Sequence, residues 1–211
     1  MEILKALNWR YATKSFDPDK KLPESTIHGI KRAFNLTPTS YGLQPLKLVV
    51  TSDTHIQKQL YEASYKQKQV KTASNVFVLC IDKIIDKNFI EKHFKLVKQV
   101  RQTPDKMLRP FKDFLIDDFS KKSNTQLRAW AINQAYLAIG NMLTVCAVEK
   151  IDACPMEGFN AKEYASILNL NHSNIEPVLV MPVGYRDQND EFSKFEKVRR
   201  PLEEVVIEIN S

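Results

Sequence analysis

An uncharged stretch of twenty residues, from Ala129 to Val148, restricts the fold of this chain more than any other feature. A helix of that length is about 30 Å long and could span a bilayer. Polar residues interrupt the stretch, however, and Arg128 and Glu149 bound it. Its apolar residues occur on every side of the helix, which is typical of a helix buried in a core or in a subunit interface. We therefore predict a long central helix in a soluble protein that does not associate with membranes.

The chain contains only five glycines, and they are widely spaced. Rossmann and P-loop motifs both require closely spaced glycines, which let the backbone approach a phosphate. Neither motif can be written anywhere in this sequence. Any nucleotide or phosphate must therefore be bound in another way.

The positive charge is concentrated near the N-terminus. Residues 1–72 contain 12 Lys and Arg against 6 Asp and Glu, whereas the remaining residues contain 19 of each, which gives the net charge of +6. This asymmetry indicates an anionic partner, either a small phosphate-bearing ligand or a nucleic acid, with plain solubility as the alternative. Because basic–aromatic and zinc-finger motifs are missing, we expect no nucleic acid.

The order of the predicted elements indicates an α+β fold, with a small mixed, mainly antiparallel sheet flanked by helices. No linker or repeat divides the chain, so we predict a single domain over residues 1–211. A charged helical excursion covers about residues 84–122, broken at Pro104 and with a second candidate break at Pro110. The other helices are predicted over 2–8, 23–35, 53–64, a buried helix ending near 150, and 161–168. The strands are predicted over 47–52, 75–81, 176–185 and, at an edge, 205–209.

The usual catalytic side chains have no partners in the sequence. The four histidines lack the spacing of metal ligands or of a catalytic triad, so no metal site is expected. The three cysteines form no C-x-x-C pair, which is typical of reduced thiols in a cytoplasmic protein. The first ten residues also lack the pattern of a signal peptide. If the protein is an enzyme, a cofactor is expected to perform the chemistry.

Several basic residues at the two ends of the chain could converge on a phosphate. Guanidinium groups bind phosphate through two hydrogen bonds, and lysine acts as a point charge. The hydroxyls of Thr39 and Ser40 could assist, and Gly158 would let the backbone approach a flat ligand. On spacing alone, the better interpretation is that the basic residues are solvated on the surface. These basic residues are Arg10, Lys14, Lys197, Arg199 and Arg200.

Five segments that extend over nearly the whole chain carry recognisable motifs. They are RYATKSF at 10–16, PTSYGLQP at 38–45, YKQKQV at 65–70 before ASN at 73–75, PMEGF at 155–159 and KVRRP at 197–201. In this order they resemble the nitroreductase family, and most closely its oxygen-insensitive NAD(P)H nitroreductases. Three residues depart from the family pattern: Ala12 lacks a hydroxyl, Gln69 replaces a frequent lysine, and Leu46 replaces a common tryptophan.

This resemblance implies an FMN-dependent oxidoreductase that forms an intertwined homodimer, with two flavins at an interface larger than ~2,000 Å². NADH or NADPH would donate a hydride to flavin N5 and leave before the acceptor binds, which predicts ping-pong kinetics. The acceptors would be nitroaromatics, quinones or similar electron-poor compounds. A free-flavin or other small-metabolite reductase, or a non-catalytic flavin-binding regulatory protein, are the alternatives. The physiological acceptor and the preferred nicotinamide stay open.

The resemblance also implies a role for each matched residue. Lys14 and Glu157 would be catalytic, with Lys14 facing the negative charge that develops near flavin N1 and C2=O. Phe111, Phe114 and Phe119 of the helical excursion are candidate walls of the substrate pocket, although they could equally belong to the core. The implied FMN phosphate ligands are Arg10, Lys197, Arg199 and the partner subunit's Thr39. Tyr11 and Ala12 would contact the ribityl chain, and Lys14 and Gln69 the pyrimidine edge. The remaining implied cofactor contacts are Gln67, Pro155, Met156, Glu157 and Gly158, with Gln44 and, from the partner chain, Pro38, Ser40 and Gly42.

Overall fold

Four antiparallel strands form one sheet in the order β1-β2-β4-β3 in the computed structural model, which describes residues 1–209. The strands are β1 (Leu46–Thr51), β2 (Asn75–Asp82), β3 (Asp152–Ala153) and β4 (Ile175–Gly184). The helices up to the excursion are α1 (Glu2–Trp9), α2 (Glu24–Asn35), α3 (Thr54–Glu62), α4 (Lys68–Thr72), α5 (Lys87–Arg101) and α6 (Asp105–Ser120). They are followed by α7 (Asn124–Val148), α8 (Ala161–Ile167) and α9 (Leu202–Val205), and short 3₁₀ turns lie at Ser40–Gly42 and Glu191–Lys194.

The two central strands are apolar on both faces, and alternate residues of β2 divide between two cores. Phe77, Leu79 and Ile81 pack on the side that α7 covers. Val76 and Val78 pack on the opposite side, against residues of α3, α4 and α8. This division follows from the two-residue period of a strand, which points successive side chains to opposite faces. Phe77 is fully buried, and its truncation to alanine would cost about 3–5 kcal/mol.

Helix α7 begins with a capping box in which Ser123 and Gln126 satisfy each other's backbone amides. Its length and mean hydropathy would allow it to cross a membrane, and it is the one helix of residues 1–209 for which this holds. One side of the helix is nevertheless buried against the sheet, through Ala131, Ala135 and Met142 among others. It is therefore a core helix of this fold, as the uncharged stretch predicts.

The other side of α7 is exposed and carries no charge. The side chains of Tyr136, Leu137 and Val148 lie on it, and Gly140 has open space where a Cβ would be. Further apolar side chains are exposed on α1, at Leu4, and along residues 198–209. A solvated helix normally carries charges on its outer face, so this surface has the character of an interface.

The structure confirms the α+β class and corrects three details. Residues 205–209 do not form an edge strand: a single helical turn ends at Val205, and the following residues are extended without a neighbouring strand to pair with. Pro110 does not break α6, because packing of the buried Leu115 and Phe119 holds the helix together despite the missing backbone donor. The described strands are all antiparallel, and the only parallel element among residues 1–209 is the isolated bridge between Ala12 and Ala153.

We expect the wild-type protein to be a homodimer and Leu137→Glu to be monomeric at micromolar concentration, because a carboxylate cannot be buried cheaply in an apolar interface. Light scattering coupled to size exclusion measures this directly. Leu96→Glu on α5 is the matched control, since Leu96 and Leu137 are both 53% exposed. A wild-type monomer, or an unchanged mass for Leu137→Glu, would contradict the assignment of this face to an interface.

Candidate functional site

Three cations from the two ends of the chain lie together. Arg10 directly follows α1, and Lys197 donates a hydrogen bond from Nζ to the carbonyl oxygen of Arg10 over 2.5 Å. Burial lowers the pKa of Lys197, and the charges of Arg10 and Arg199 lower it further. Burial, followed by the charge of Arg199, also lowers the pKa of Arg10. None of the three forms an ion pair within residues 1–209. Glu196 lines the same cavity but forms no ion pair with any of the three cations. Mutually repelling cations that no carboxylate pairs are a candidate site for an anion.

These cations line a cavity of about 470 Å³, which also includes Tyr11, Ala12 and Lys14. Phe192 forms part of the opposite wall, and the Lys14 ammonium lies 6.0 Å from the centre of its ring. Arg200 is not among the lining residues. A volume of this size is typical of a small-molecule site.

The Asp190 carboxylate holds the two sides of this cavity together. Only 3% of Asp190 is exposed. One of its oxygens accepts hydrogen bonds from the backbone amides of Lys14 and Ser15 over 2.8 and 3.2 Å and from the Tyr11 hydroxyl over 3.0 Å. The other accepts from the amide of Phe192 over 3.1 Å, at the start of the second 3₁₀ turn. These bonds compensate the cost of burying the carboxylate, so Asp190 fixes the N-terminal segment against the C-terminal one.

A second anchor holds the same N-terminal segment from the other side. The Arg186 guanidinium lies between the rings of Trp9 and Tyr11, at 4.4 and 4.7 Å from their centres. Its Nε donates to the buried carboxylate of Asp152 over 2.8 Å, and its backbone amide donates to the same carboxylate over 2.9 Å. Aromatic contacts and a charged hydrogen bond therefore position the residues on either side of Arg10.

Lys14 and Gln69 meet at the buried thiol of Cys154. The Lys14 Nζ lies 3.9 Å from its Sγ, and the Gln69 Nε2 lies 4.0 Å from the same atom. Burial raises the pKa of this thiol, and the charges of Lys14 and Arg10 act in the opposite direction. Gln69 also donates to Gln67 over 3.1 Å. The Lys14 ammonium and the Gln69 side-chain amide therefore lie beside the same thiol.

The loop from Pro155 to Gly158 presents unpaired backbone donors. Met156 is fixed by two backbone hydrogen bonds to Val180, of 2.8 and 3.0 Å. The next two amides, of Glu157 and Gly158, donate to no acceptor within residues 1–209. Gln67 donates to the carbonyl of Gly158 over 2.7 Å, and a Cβ at Gly158 would lie 3.1 Å from that Gln67 nitrogen. A side chain at position 158 would therefore crowd the Gln67 amide that is hydrogen-bonded to this loop.

The Glu157 carboxylate is held by helix α7. The Tyr136 hydroxyl donates to its Oε1 over 2.5 Å. This hydrogen bond and partial burial raise the pKa of Tyr136 above its usual value. The bond connects the exposed side of α7 to the loop.

The loop of residues 38–44 lies apart from these groups. Its Thr39 and Gln44 line a different cavity of about 510 Å³, which shares no residue with the cationic one. The Ser40 amide donates to Gln134 of α7 over 2.8 Å, and the Gln44 amide donates to the Thr39 hydroxyl over 3.0 Å. Gly42 has φ of 70°, a left-handed conformation that favours glycine. Within one subunit, Pro38, Thr39, Ser40 and Gly42 therefore do not reach the cation cluster.

Helices α5 and α6 cover this loop. The ring centres of Tyr41 and Phe119 are 6.0 Å apart, and those of Tyr41 and Phe111 are 6.3 Å apart. Phe119 is buried in the core, whereas Phe111 and Phe114 are exposed. Of the three proposed aromatic walls, Phe119 is therefore a core residue, and the other two are accessible to a ligand.

Sequence reasoning missed Asp190, Arg186 and Tyr136. Asp190 belongs to an Asn189-Asp190 turn sequence that resembles an ordinary surface loop, and its N-terminal partners lie about 180 residues away along the chain. Only Asp190's role as the N-cap of the second 3₁₀ turn has a local signal. No cluster of three or more His, Cys, Asp or Glu side chains that could hold a metal ion occurs among the residues described.

Known proteins resemble this chain in sequence and in fold. The model of the nitroreductase family matches residues 7–185. The chain is 35% identical to YfkO of Bacillus subtilis, named as a candidate NAD(P)H nitroreductase, over 97% of this chain and 96% of YfkO. Two crystal structures share the fold. One is ydfN of Bacillus subtilis (TM-score 0.87, 21% identity, 99% of each chain). The other is a protein of Exiguobacterium sibiricum solved in complex with FMN (TM-score 0.83, 18% identity, 99% of this chain and 96% of that one).

The family match covers most of the chain and includes the segment of Arg10, the 38–44 loop and the 155–158 loop. The relative YfkO is similar over nearly its whole length. This chain belongs to the nitroreductase family.

Proposed function

We propose that this protein is an FMN-dependent NAD(P)H oxidoreductase that reduces nitroaromatics, quinones or similar electron-poor compounds. The observation that carries the proposal is the cluster of Arg10, Lys197 and Arg199, which forms no ion pair within residues 1–209 and lies in one cavity with Lys14. The names of YfkO and of the FMN complex from Exiguobacterium sibiricum support the nicotinamide and the flavin, respectively. We further propose that the chain is a single domain and that its helices α5 and α6 lie beside the cofactor site.

The residues of the cavity fit an FMN molecule. The three cations would hold its phosphate, and Tyr11 and Ala12 would lie along the ribityl chain. The unpaired amides of Glu157 and Gly158 would serve as donors to the edge of the ring system. Lys14 and Gln69 would face the pyrimidine edge, and Gln67, Pro155 and Met156 would complete the wall.

A homodimer is required to bring the 38–44 loop to this site. The two cavities share no residue within one subunit, so Pro38, Thr39, Ser40, Gly42 and the adjoining Gln44 would come from a second copy. The uncharged outer face of α7 supplies the surface on which a second copy would pack.

When bound, FMN would supply the hydride transfer from NADH or NADPH to the acceptor. The overall reaction balances as NAD(P)H + H⁺ + quinone → NAD(P)⁺ + hydroquinone. For a nitro compound it is NAD(P)H + H⁺ + R–NO₂ → NAD(P)⁺ + R–NO + H₂O. Because the nicotinamide and the acceptor would both have to reach the same reactive atom of the flavin, they would bind in turn, which gives ping-pong kinetics. The contribution of this chain is electrostatic and geometric. The Lys14 ammonium stabilises the negative charge that arises on reduction, and the Glu157 carboxylate, held by Tyr136, fixes the 155–158 loop.

The direct test of this function is anaerobic mixing of the purified protein with NADH and, separately, NADPH. Loss of the visible flavin absorbance, followed by its recovery on addition of a quinone, is the expected result. Protein that retains no flavin after reconstitution, or a bound flavin that neither nicotinamide reduces, would contradict the proposal.

We expect Lys14→Met to slow reduction of the bound flavin by about 10²-fold, because it removes the cation that faces the developing charge. The protein should still fold and bind FMN, since Lys14 makes no ion pair among residues 1–209. Stopped-flow absorbance under anaerobic conditions measures the rate. The exposed Lys21→Met serves as control, and equal rates for the two variants would refute the role of Lys14.

Arg199→Gln should weaken FMN binding by about tenfold to a hundredfold, because one charged contact to the phosphate is lost. The melting temperature of the apoprotein should stay the same or rise, since the change relieves repulsion from Arg10 and Lys197. Fluorescence titration and thermal melts of both forms measure the two effects. With Arg200→Gln as neighbour control, a parallel loss of apoprotein stability and FMN affinity would indicate a structural role instead.

Asp190→Asn should also weaken FMN binding by at least about tenfold, although Asp190 itself is not expected to touch the cofactor. The asparagine amide would present a donor to backbone amides that need an acceptor, so the segments of Lys14 and Phe192 would separate. Asp187→Asn is the matched control three residues away. If both variants bind FMN like the wild type, Asp190 does not organise the site.

A further inference from the structure

Helices α5 and α6 carry a concentration of positive charge that the composition of the chain conceals. Between Lys87 and Lys112 there are eight Lys and Arg against two Asp and Glu. The other residues after Thr72 therefore contain 11 cations (19 − 8) against 17 acids (19 − 2). The basic segment ends at Lys112, because α6 continues with Asp113, Asp117 and Asp118, and the two whole helices carry eight cations against five acids.

A groove of about 400 Å³ runs between these two helices, and we call it the lid groove. Its rim carries Lys95, Lys98, Arg109 and Lys112, and its apolar lining comes from the buried Phe94 and from Leu108. A groove with an apolar floor and a charged rim is suited to a ligand that is aromatic on one side and charged on the other.

The two carboxylates that line the lid groove do not neutralise its rim. Asp105 accepts a hydrogen bond from Lys98 over 2.6 Å, and Glu91 lies 3.8 Å from Lys87, outside the groove. The hydrogen bond from Lys98 lowers the pKa of Asp105, and the charges of Lys112 and Arg109 add to this effect. Three cations thus gather around one carboxylate.

The remaining cations are available to a ligand. Lys95, Arg109 and Lys112 form no ion pair within residues 1–209, so the rim has three free positive charges. The Arg109 guanidinium could bind two oxygens of a carboxylate or of a sulfonate through two hydrogen bonds, with the lysines as additional point charges.

Aromatic contacts connect the lid groove to the loop of the proposed cofactor site. The ring of Phe94 lies 5.9 Å from that of Phe111, which lies 6.3 Å from that of Tyr41 in the 38–44 loop. Phe111 and the exposed Phe114 are stacked at 6.4 Å. A ligand that enters the groove therefore contacts the same aromatic layer that packs on the cofactor loop.

We propose that the lid groove binds aromatic anions of one or two rings, such as arenecarboxylates and arenesulfonates, and that acceptors of this charge are the preferred substrates. The second part rests on the proposed reductase function. The first part does not depend on it, because a groove can bind a ligand that is never reduced.

Equilibrium binding tests the groove without any redox step. Naphthalene-1-sulfonate, which is fluorescent and not reducible by a flavin, is titrated into FMN-loaded protein, with the neutral naphthalene-1-sulfonamide as isosteric comparison. We expect the sulfonate to bind more tightly, and K95Q/R109Q/K112Q to weaken it about tenfold while leaving the sulfonamide unchanged. The control variant K21Q/K58Q/K162Q removes the same charge elsewhere on the surface and should behave like the wild type.

The two half-reactions then identify which ligand uses the groove. In stopped-flow experiments the groove variant should oxidise with 1,4-naphthoquinone-2-sulfonate about tenfold less efficiently than the wild type. Its oxidation by neutral 2-methyl-1,4-naphthoquinone and its reduction by NADH or NADPH should not change. A defect confined to reduction by NADH or NADPH would mean that the cations bind nicotinamide phosphates, which overturns the proposal.

Equal binding of the sulfonate and the sulfonamide would also overturn it. If the groove variant does not fold, the salt dependence of the wild type decides: preference for the sulfonate must fall as sodium chloride is added. Failure of FMN reduction by both nicotinamides would remove the proposed function, while the binding comparison would still report on the groove.

Discussion

The Asp190 carboxylate is the interaction on which the proposed site depends. A buried carboxylate is tolerated only when hydrogen bonds replace its hydration, and Asp190 obtains four from residues near the two ends of the chain. The same bonds bring Arg10 into one cavity with Lys197 and Arg199, although these cations repel each other. The hydrogen bonds to Asp190 thus offset the repulsion among the three cations. Such an arrangement is useful where an anion is to be bound, because the anion relieves a repulsion that the protein already holds in place.

Arg186 shows that the geometry has a second, independent support. Its guanidinium contacts Trp9 and Tyr11 while Asp152 holds it from β3. The backbone of Arg10 is therefore constrained on both sides, by aromatic contacts before it and by Asp190 after it. A site whose charged groups are constrained in this way loses little conformational entropy when a ligand binds.

The parts of this fold that were predictable from sequence are those with local physical causes. A few neighbouring residues are enough to predict three features: the apolar strands β2 and β4, the N-cap at Asp53 and the uncharged helix α7. The alternation of apolar residues at 205–209 also predicts a strand from local sequence. No strand forms there, since a strand also needs a free sheet edge beside it. On spacing alone, Arg10, Lys197 and Arg199 could converge on a phosphate but a solvated surface is favoured, and only the family resemblance reverses this preference, because the cause of the grouping is a set of contacts about 180 residues apart in sequence. The charge totals did not reveal the basic segment between Lys87 and Lys112, because acidic and basic residues are equal in number after Thr72.

Helix α7 connects the two halves of the proposed site. Gln134 accepts from the Ser40 amide, Asn141 donates to Thr37 over 3.0 Å, and Tyr136 donates to Glu157. The 38–44 loop and the 155–158 loop are therefore both fixed to one helix. If the uncharged face of α7 packs against a second copy, the positions of the partner's loops are set by the same helix. The distance between a cation cluster and the loop that would complete it is then fixed by helix packing, which is more rigid than either loop. The lack of charge along α7 therefore serves the geometry of the site as well as burial.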